Sequence, residues 1–577
     1  MLFNLGLLSL FFLPVIESFR REAGLFFLCL GALLLALNPQ QSKKTQLDFS
    51  DLLWFILLVV FSLSLFHTAS YIRSFSEFLR YLSYFLILVS IKNHHDHTSL
   101  LKSFYLPMIV VNSIILSLLS WWYLIPVVHF YTPPPLNLYF ANFGHNRLSA
   151  ILIFALPITA IFSTLSYKKK YLYKLLTVFL FISLIFTVAR GAFLELSFSS
   201  LIVLLLYFKR NSVDAQNPEK RQLMSYVSFF SLITIIFLVF NFIYSNFFNP
   251  SNFPLNIRNT YKPVMGELRL EYIRQAVSEF ARHPLRGTGL DTFVYVSRIN
   301  QLRGSQSSDY VHNQFLEIFT ETGIFGGIIF AVLMCYLLVK SYSHNKKLQG
   351  PDKIYHLAVM IGLLASYFSS LIDYDWQYIS IFFILFLGLI LTSDHEDQPK
   401  YDMHQNGWRI FIFLYFLAFL VKFILLKNVP EYSKKIDQLI QKNELVAAEN
   451  LALRFHKLDQ GGQPAIVRLI EISQKSGNAE KNHYWNEQLI KTSPYDQDYT
   501  RREDFRLYLT DMQKKVVLGN ANDAMSIFKT LKSKYPDLYQ QINSDAYLNK
   551  IILALNNNNN SEALEIFQSL IISGMKI

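Results

Sequence analysis

Apolar residues along the chain come in blocks of about 20, separated by short clusters of charge, which is the length a helix needs to cross a bilayer. Thirteen spans are predicted, roughly at 2–16, 22–37, 51–66, 76–91, 100–123, 147–166, 172–189, 192–208, 225–246, 314–339, 354–371, 376–392 and 408–427. The pattern changes near residue 430, where polar positions interleave with apolar ones at helical spacing, as at 445–455, 523–531 and 562–570. The last two are near-copies, Asp523-Ala524-Met525-Ser526-Ile527-Phe528 against Glu562-Ala563-Leu564-Glu565-Ile566-Phe567. Their offset is about 39 residues, close to helix-hairpin repeats of the tetratricopeptide kind. The run Asn556–Asn560 between them is read as a loop. The expected fold is therefore all-α: a polytopic bundle over 1–428, with a large loop at 247–312, then a soluble helical repeat domain over 429–577.

Composition agrees. In 577 residues, 52% are hydrophobic, Phe alone numbers 52, and 16% are charged, which excludes a soluble enzyme and a disordered chain. Cys29 and Cys335 sit far apart in apolar blocks, excluding a disulfide scaffold and a cysteine zinc site. A net charge of +12 would suit nucleic acid, but its distribution suits a membrane instead. Lys43/Lys44, Lys92/Lys102, Lys168–Lys170 with Lys174, Lys209/Arg210 with Lys220/Arg221, Lys346/Lys347 with Lys353, and Lys400/Arg409 all fall in alternate connections. The opposite connections carry Arg20, Arg21, Arg73, Arg80, Arg147 and Arg190. The positive-inside rule makes the lysine-rich side cytoplasmic, and puts the loop 247–312 and everything after 428 outside.

The outer loop holds eight cations, including Arg258, Lys262, Arg298 and Arg303, and so forms an electropositive outer surface. Within it, 266–284 reads as a helix. At 100° per residue, Arg269 shares a stripe with Ile273, Ala276 and Phe280, while Arg274 and Arg282 fall on the opposite face. Arg269 is therefore directed at the membrane domain, either as an anion ligand or as a stem covering apolar surface. Arg190 begins a span in Val188-Ala189-Arg190-Gly191-Ala192, with Glu195 as a partner one turn deeper. It is either a snorkelling anchor or a cation facing a protein cavity or an anionic head group. His312-Asn313 ends the loop, followed by Glu317 and Glu321-Thr322-Gly323. A single histidine is commonly an interfacial residue; its place beside an arginine-rich loop makes it a candidate base.

Asp373-Tyr374-Asp375 resembles a metal-holding carboxylate pair, although any short outer connection can carry two acids. His94-His95-Asp96-His97 is metal-like in composition but lies in a cytoplasmic connection and reads as a solvated loop. Gly287-Thr288-Gly289 lacks a strand–turn–helix context, and no phosphate-loop motif occurs, so no nucleotide and no other cofactor is expected.

In this order the residues resemble the O-antigen ligase / O-antigen polymerase superfamily of bacterial membrane glycosyltransferases. The matching pieces are Phe143-Gly144-His145-Asn146-Arg147, Ala189-Arg190-Gly191, Arg269, His283-Pro284-Leu285-Arg286-Gly287-Thr288-Gly289, and His312-Asn313 with Glu321-Thr322-Gly323. They cover about residues 50–395, most specifically 269–326. Arg286 departs from the pattern, since an apolar residue is usual there. The resemblance implies metal-independent, inverting transfer of a glycan from an undecaprenyl-diphosphate carrier, at the outer face of the bacterial cytoplasmic membrane. The acceptor it implies is lipid A-core, another lipid-linked glycan, or a protein. His312, Arg269 and Arg190 become the catalytic candidates; Arg147, His145, Arg286, Asn313 and Glu321 become substrate-binding candidates. Such a donor carries its own leaving group, so no ATP is needed outside the cell. A lipid-glycan transporter is the rival reading, but it should show two matching halves with broken helices, and none are visible. A scaffold acting through its repeats, with a protein partner there, would leave the arginines and His312 without purpose.

Overall fold

The computed structural model describes residues 1–37, 45–93, 97–130, 144–165, 169–187, 189–210, 267–301, 307–393, 401–425 and 429–492, with scattered positions beyond. Helices stand at twelve of the thirteen expected spans; the thirteenth, 225–246, lies outside the described residues. Among the described residues eight helices are long and apolar enough to cross a membrane, or nine if the pair Leu2–Phe11 and Leu13–Phe19, bent by 49°, is one span. Pro14 sits in the first turn of the second member, where it needs no amide partner and helps fix the bend. The helices Gly191–Val203 and Ile379–Leu391 are apolar but shorter than the rest. The protein is thus an all-α membrane protein.

The short Ile379–Leu391 helix explains itself by position. All thirteen of its residues are buried, as expected of a helix surrounded by others rather than by lipid. At about 1.5 Å per residue it is some 20 Å long, well short of the ~30 Å hydrocarbon core. Its first amides, Ile379 N and Ser380 N, donate to the buried Glu17 carboxylate at 2.8 and 2.7 Å. A helix end inside a membrane protein requires such a partner, because no water is at hand. Trp54, Tyr81 and Tyr84 pack against Phe382 and Phe386 of this helix to form an aromatic cluster in the core.

Among the described residues, Lys92 and Lys340 meet at one end of the bundle and Arg21 and Arg80 at the other. At one end Thr45–Leu47 pairs antiparallel with Tyr401–Met403, joining two connections far apart in sequence. Beside them Lys92 and Lys340 hold Asp48 at 2.7 and 3.1 Å, and Lys92 reaches Asp51 at 3.0 Å. At the other end Arg21 donates to the Tyr310 hydroxyl (3.0 Å) and Arg80 to the Gln377 carbonyl (2.6 Å).

A second unit comprises residues 298–307 and 429 onward. Its well-described part is four helices, Val429–Gln441, Leu445–Leu458, Gln463–Lys475 and Ala479–Thr492, packed in succession. Arg468 locks the first to the third through a bidentate pair with Asp437, both contacts 2.8 Å. The near-copied segments at 523–531 and 562–570 lie largely outside the described residues.

Candidate functional site

The arginine-rich end is shaped by one break. Inside the Gln314–Lys347 helix, Gly323 takes φ +74°, a conformation that disfavours any side chain. The Ile324 amide freed by the break donates to the Pro284 carbonyl at 2.8 Å, and a Cβ at Gly323 would stand 2.3 Å from the Leu285 carbonyl oxygen. Gly287, at φ +64°, closes the same contact from the other strand, where a Cβ would meet the Glu321 carbonyl. The Pro284–Gly289 segment therefore lies directly on the kink. Glu321 seals the joint: its carboxylate accepts the amides of Asp291, Thr292 and Phe293 at 2.9, 2.8 and 3.1 Å. Those are the free amides at the start of the Phe293–Asn300 helix.

The Glu267–Arg282 helix packs on this platform. Tyr272 and Ala276 form a small core with Phe293, Val296 and Val311, and Phe280 meets Phe319 edge to face. The packed face is the stripe read from the sequence. Arg274 and Arg282 face away, exposed, each paired with a glutamate three residues earlier, Glu271 and Glu279.

Asp373, in the turn after the Gly350–Ile372 helix, is the hub. Its Oδ2 accepts from Arg269 Nη2 at 3.1 Å and from Asn146 Nδ2 at 3.2 Å. Its Oδ1 accepts the Tyr374 amide at 2.9 Å and lies 3.2 Å from His312 Nδ1. That last contact is within ion-pair distance but lacks hydrogen-bond alignment, and Nδ1 is buried with no hydrogen-bond partner among the described residues. The His312 ring is held between Tyr272, stacked at 5.5 Å and 18°, and Tyr374, edge-on at 4.6 Å and 86°. His312 itself has φ +60°, uncommon for a residue with a side chain and a conformation found at functional sites.

Electrostatics divide the two aspartates. Burial pushes the Asp373 carboxyl up, but His312 and Arg269 together outweigh it and hold the group below the usual carboxylate range. Asp375 is pushed up to about 8 by burial and by the Asp373 charge, and its Oδ2 accepts the Ser369 hydroxyl at 2.6 Å. Between the two, the charge is favoured on Asp373, which His312 and Arg269 face, over Asp375. The hydrogen bonds that Asp373 accepts come from Arg269, Asn146 and the Tyr374 amide. Arg147 lies 3.6 Å from the centre of the Tyr378 ring, and the backbone at Gly191 comes beside Ile372.

Beneath the hub lies a buried ionic layer that sequence reasoning assigned no role. Arg73 grips Asp291 through its side chain (2.9 Å) and its carbonyl (2.8 Å), while Arg80 pairs with Glu77. Gln377 bridges onward to Glu317 at 2.7 Å, and Glu317 accepts the Val311 amide. These contacts tie the loop next to His312 to the Tyr71–Lys92 span.

Of the expected site residues, Arg269 and His312 come together on Asp373, with Arg147 close by on the same turn. Asn313 lies adjacent, but its side chain is engaged: Oδ1 caps the Gln314–Lys347 helix at Leu316 N, and Nδ2 donates to the Leu371 carbonyl at 3.0 Å. Glu321 is likewise occupied in holding backbone. Arg286 is exposed, its Nη2 3.5 Å from His283 Nδ1. His145 and Arg190 each begin a helix, and their side chains lie outside the described residues, as does His94-His95-Asp96. Sequence reasoning missed Asp373 as the hub, Asn146 as its donor and Tyr272 as the ring stacked on His312. The signal for Asp373 was present as an acid at the outer end of a span, but it was read for metal rather than for the cations facing it.

Residues 175–331 match the family model described as O-Antigen ligase. The chain is also similar to a ComP-specific O-oligosaccharyltransferase of Acinetobacter baylyi (strain ATCC 33305 / BD413 / ADP1). The two are 23% identical over 305 residues, 51% of this chain and 51% of that protein, so the chain spans about half the length of the curated relative it matches. The family match includes Arg190, Arg269, Arg286, His312, Asn313 and Glu321, and ends before Asp373.

Proposed function

We propose that this chain, a member of the O-antigen ligase superfamily, transfers a glycan from an undecaprenyl-diphosphate carrier to an acceptor hydroxyl at the outer face of the bacterial cytoplasmic membrane. The observation that carries the reading is the meeting of Arg269 and His312 on one carboxylate, Asp373, where several span ends converge. The acceptor oxygen attacks the anomeric carbon, and the bond from that carbon to the diphosphate oxygen breaks. The diphosphate leaves on the lipid with the bonding electrons, and the acceptor proton passes to His312. Because Nδ1 faces Asp373, the proton is taken at Nε2. Arg269 and Arg190 neutralise the departing diphosphate, the fork of a guanidinium matching phosphate oxygens. Displacement in one step inverts the anomeric centre. No metal or cofactor takes part in this scheme.

A protein acceptor is the second reading, favoured by the similarity to the ComP-specific O-oligosaccharyltransferase of Acinetobacter baylyi. The C-terminal unit suits it. The first and third described helices start 34 residues apart (463 − 429), and so do the second and fourth (479 − 445). That equals the tetratricopeptide period of about 34 residues, in which stacked hairpins present a groove to a partner. Reconstitution of the purified chain with a lipid-linked oligosaccharide donor should yield transfer to one of three offered acceptors: lipid A-core, a second lipid-linked glycan, or a protein with exposed serines. Consumption of donor without glycan on any acceptor would sink the reading. Sidedness has its own check: a cysteine at Ser526 should label from outside intact cells and one at Ser343 should not, the reverse placing the site in the cytoplasm.

A further inference from the structure

Asp373 holds the clamp and the base at the same time, one on each oxygen, and this raises a conflict that the donor must resolve. Arg269 is about one-third exposed (38%) while Asp373 is nearly covered (11%), so the guanidinium presents an open edge and the carboxylate does not. Arg269 spends only one nitrogen on Asp373, through a single contact rather than a fork. Asn146 donates to the same Oδ2, so that oxygen keeps a partner if the arginine leaves. On the other side His312 Nδ1 is buried and near Oδ1, yet misaligned.

We propose that Asp373 is a resident counter-ion which the donor's diphosphate displaces from Arg269. This rests on the reading of the site as a diphosphate-lipid transferase. Binding exchanges one anion for another on the guanidinium, so that the diphosphate gains the full fork and Asp373 stays held by Asn146 and the Tyr374 amide. The carboxylate then keeps His312 as a cation-forming partner at Oδ1. It can settle in line on Nδ1, and the imidazolium formed when His312 takes the acceptor proton receives an undivided negative charge. Arrival of the donor thereby completes the base. Unassisted attack before the donor is seated is disfavoured, because the carboxylate is shared until then. Asp373 is accordingly a positioning residue whose removal should help donor binding while harming turnover.

The test measures binding of undecaprenyl diphosphate, without glycan, to the full-length protein in nanodiscs, with transfer assayed separately. Asp373→Asn should bind the probe about two- to fivefold tighter than the natural chain, the size of one partly exposed ion pair removed, and should lose most turnover. In an Arg269→Ala background the same substitution should leave affinity unchanged. Asn146→Ala gives an independent reading in a chain that retains the carboxylate: it strands Oδ2 after the exchange and should weaken probe binding, with no effect once Asp373 is Asn. Equal or weaker binding by Asp373→Asn, or unchanged binding by Asn146→Ala, overturns the exchange. Failure of the natural chain to bind the diphosphate probe at all would instead overturn the transferase reading itself.

Discussion

His312→Ala is expected to lose about 10²–10⁴ of the transfer rate, the usual contribution of a positioned base, with little change in donor binding. The ring is placed by contacts on three sides, Asp373 at Nδ1, Tyr272 on its face and Tyr374 at its edge. No other histidine side chain among the described residues touches Asp373. Alanine adds a complication, because the left-handed backbone at φ +60° is costly for it. His312→Asn is therefore the companion variant, since asparagine adopts that conformation readily and carries no useful basicity. His312→Gln tests whether a hydrogen-bonding group alone suffices. All three should insert and bind undecaprenyl diphosphate, and all three should fail in transfer from a lipid-linked donor. Near-natural turnover by Asn or Gln would remove His312 as the base; lost donor binding in both would move it into the diphosphate clamp.

The membrane helices were legible because period and length are local properties. Blocks of about 20 apolar residues can do little else in a chain of this composition, and twelve of the thirteen positions carry helices. The helix at 267–282 was legible for the same reason, down to which arginines face out, since 100° per residue fixes a face without reference to any partner. What the sequence did not disclose is what side chains far apart in the chain do to each other. Glu321 reads as a substrate ligand by position, but three amides 28–30 residues upstream claim its carboxylate. Asn313 reads as part of a site, and the helix it begins needs it as a cap. Arg73 and Arg80 read as scattered outer charges and prove to be the foundation under the loop. Each of these assignments required knowing which groups the fold leaves buried and unsatisfied, and no periodicity carries that information. Asp373 is the sharpest instance: an acidic pair at a span end suggests a cation, and the cations it meets are Arg269 and His312, 104 and 61 positions earlier in the chain (373 − 269 and 373 − 312).

Arg269→Lys is expected to cost about 10²–10³ in turnover, the loss typical of one preorganised donor at a developing negative charge, even though the net charge is unchanged. Lysine supplies a point charge with a strong hydration shell; it cannot present two parallel N–H groups to a diphosphate, and its shorter reach to Asp373 would leave the carboxylate partly unpaired. The neighbouring arginines provide the internal control. Arg274 and Arg282 lie on the same helix, are more exposed, and spend their guanidinium groups on Glu271 and Glu279 within one turn. Such exposed pairs contribute about 0–1 kcal/mol to stability, so Arg274→Ala and Arg282→Ala should fold and transfer at close to the natural rate. If charge on the outer surface merely attracted an anionic lipid, all three positions would matter alike and Lys would substitute freely at each. Because the helix turns Arg269 alone onto Asp373, the sensitivity should instead be confined to that position. Equal losses at Arg269 and Arg274 in the same transfer assay would show that the orientation of this helix does not govern the chemistry.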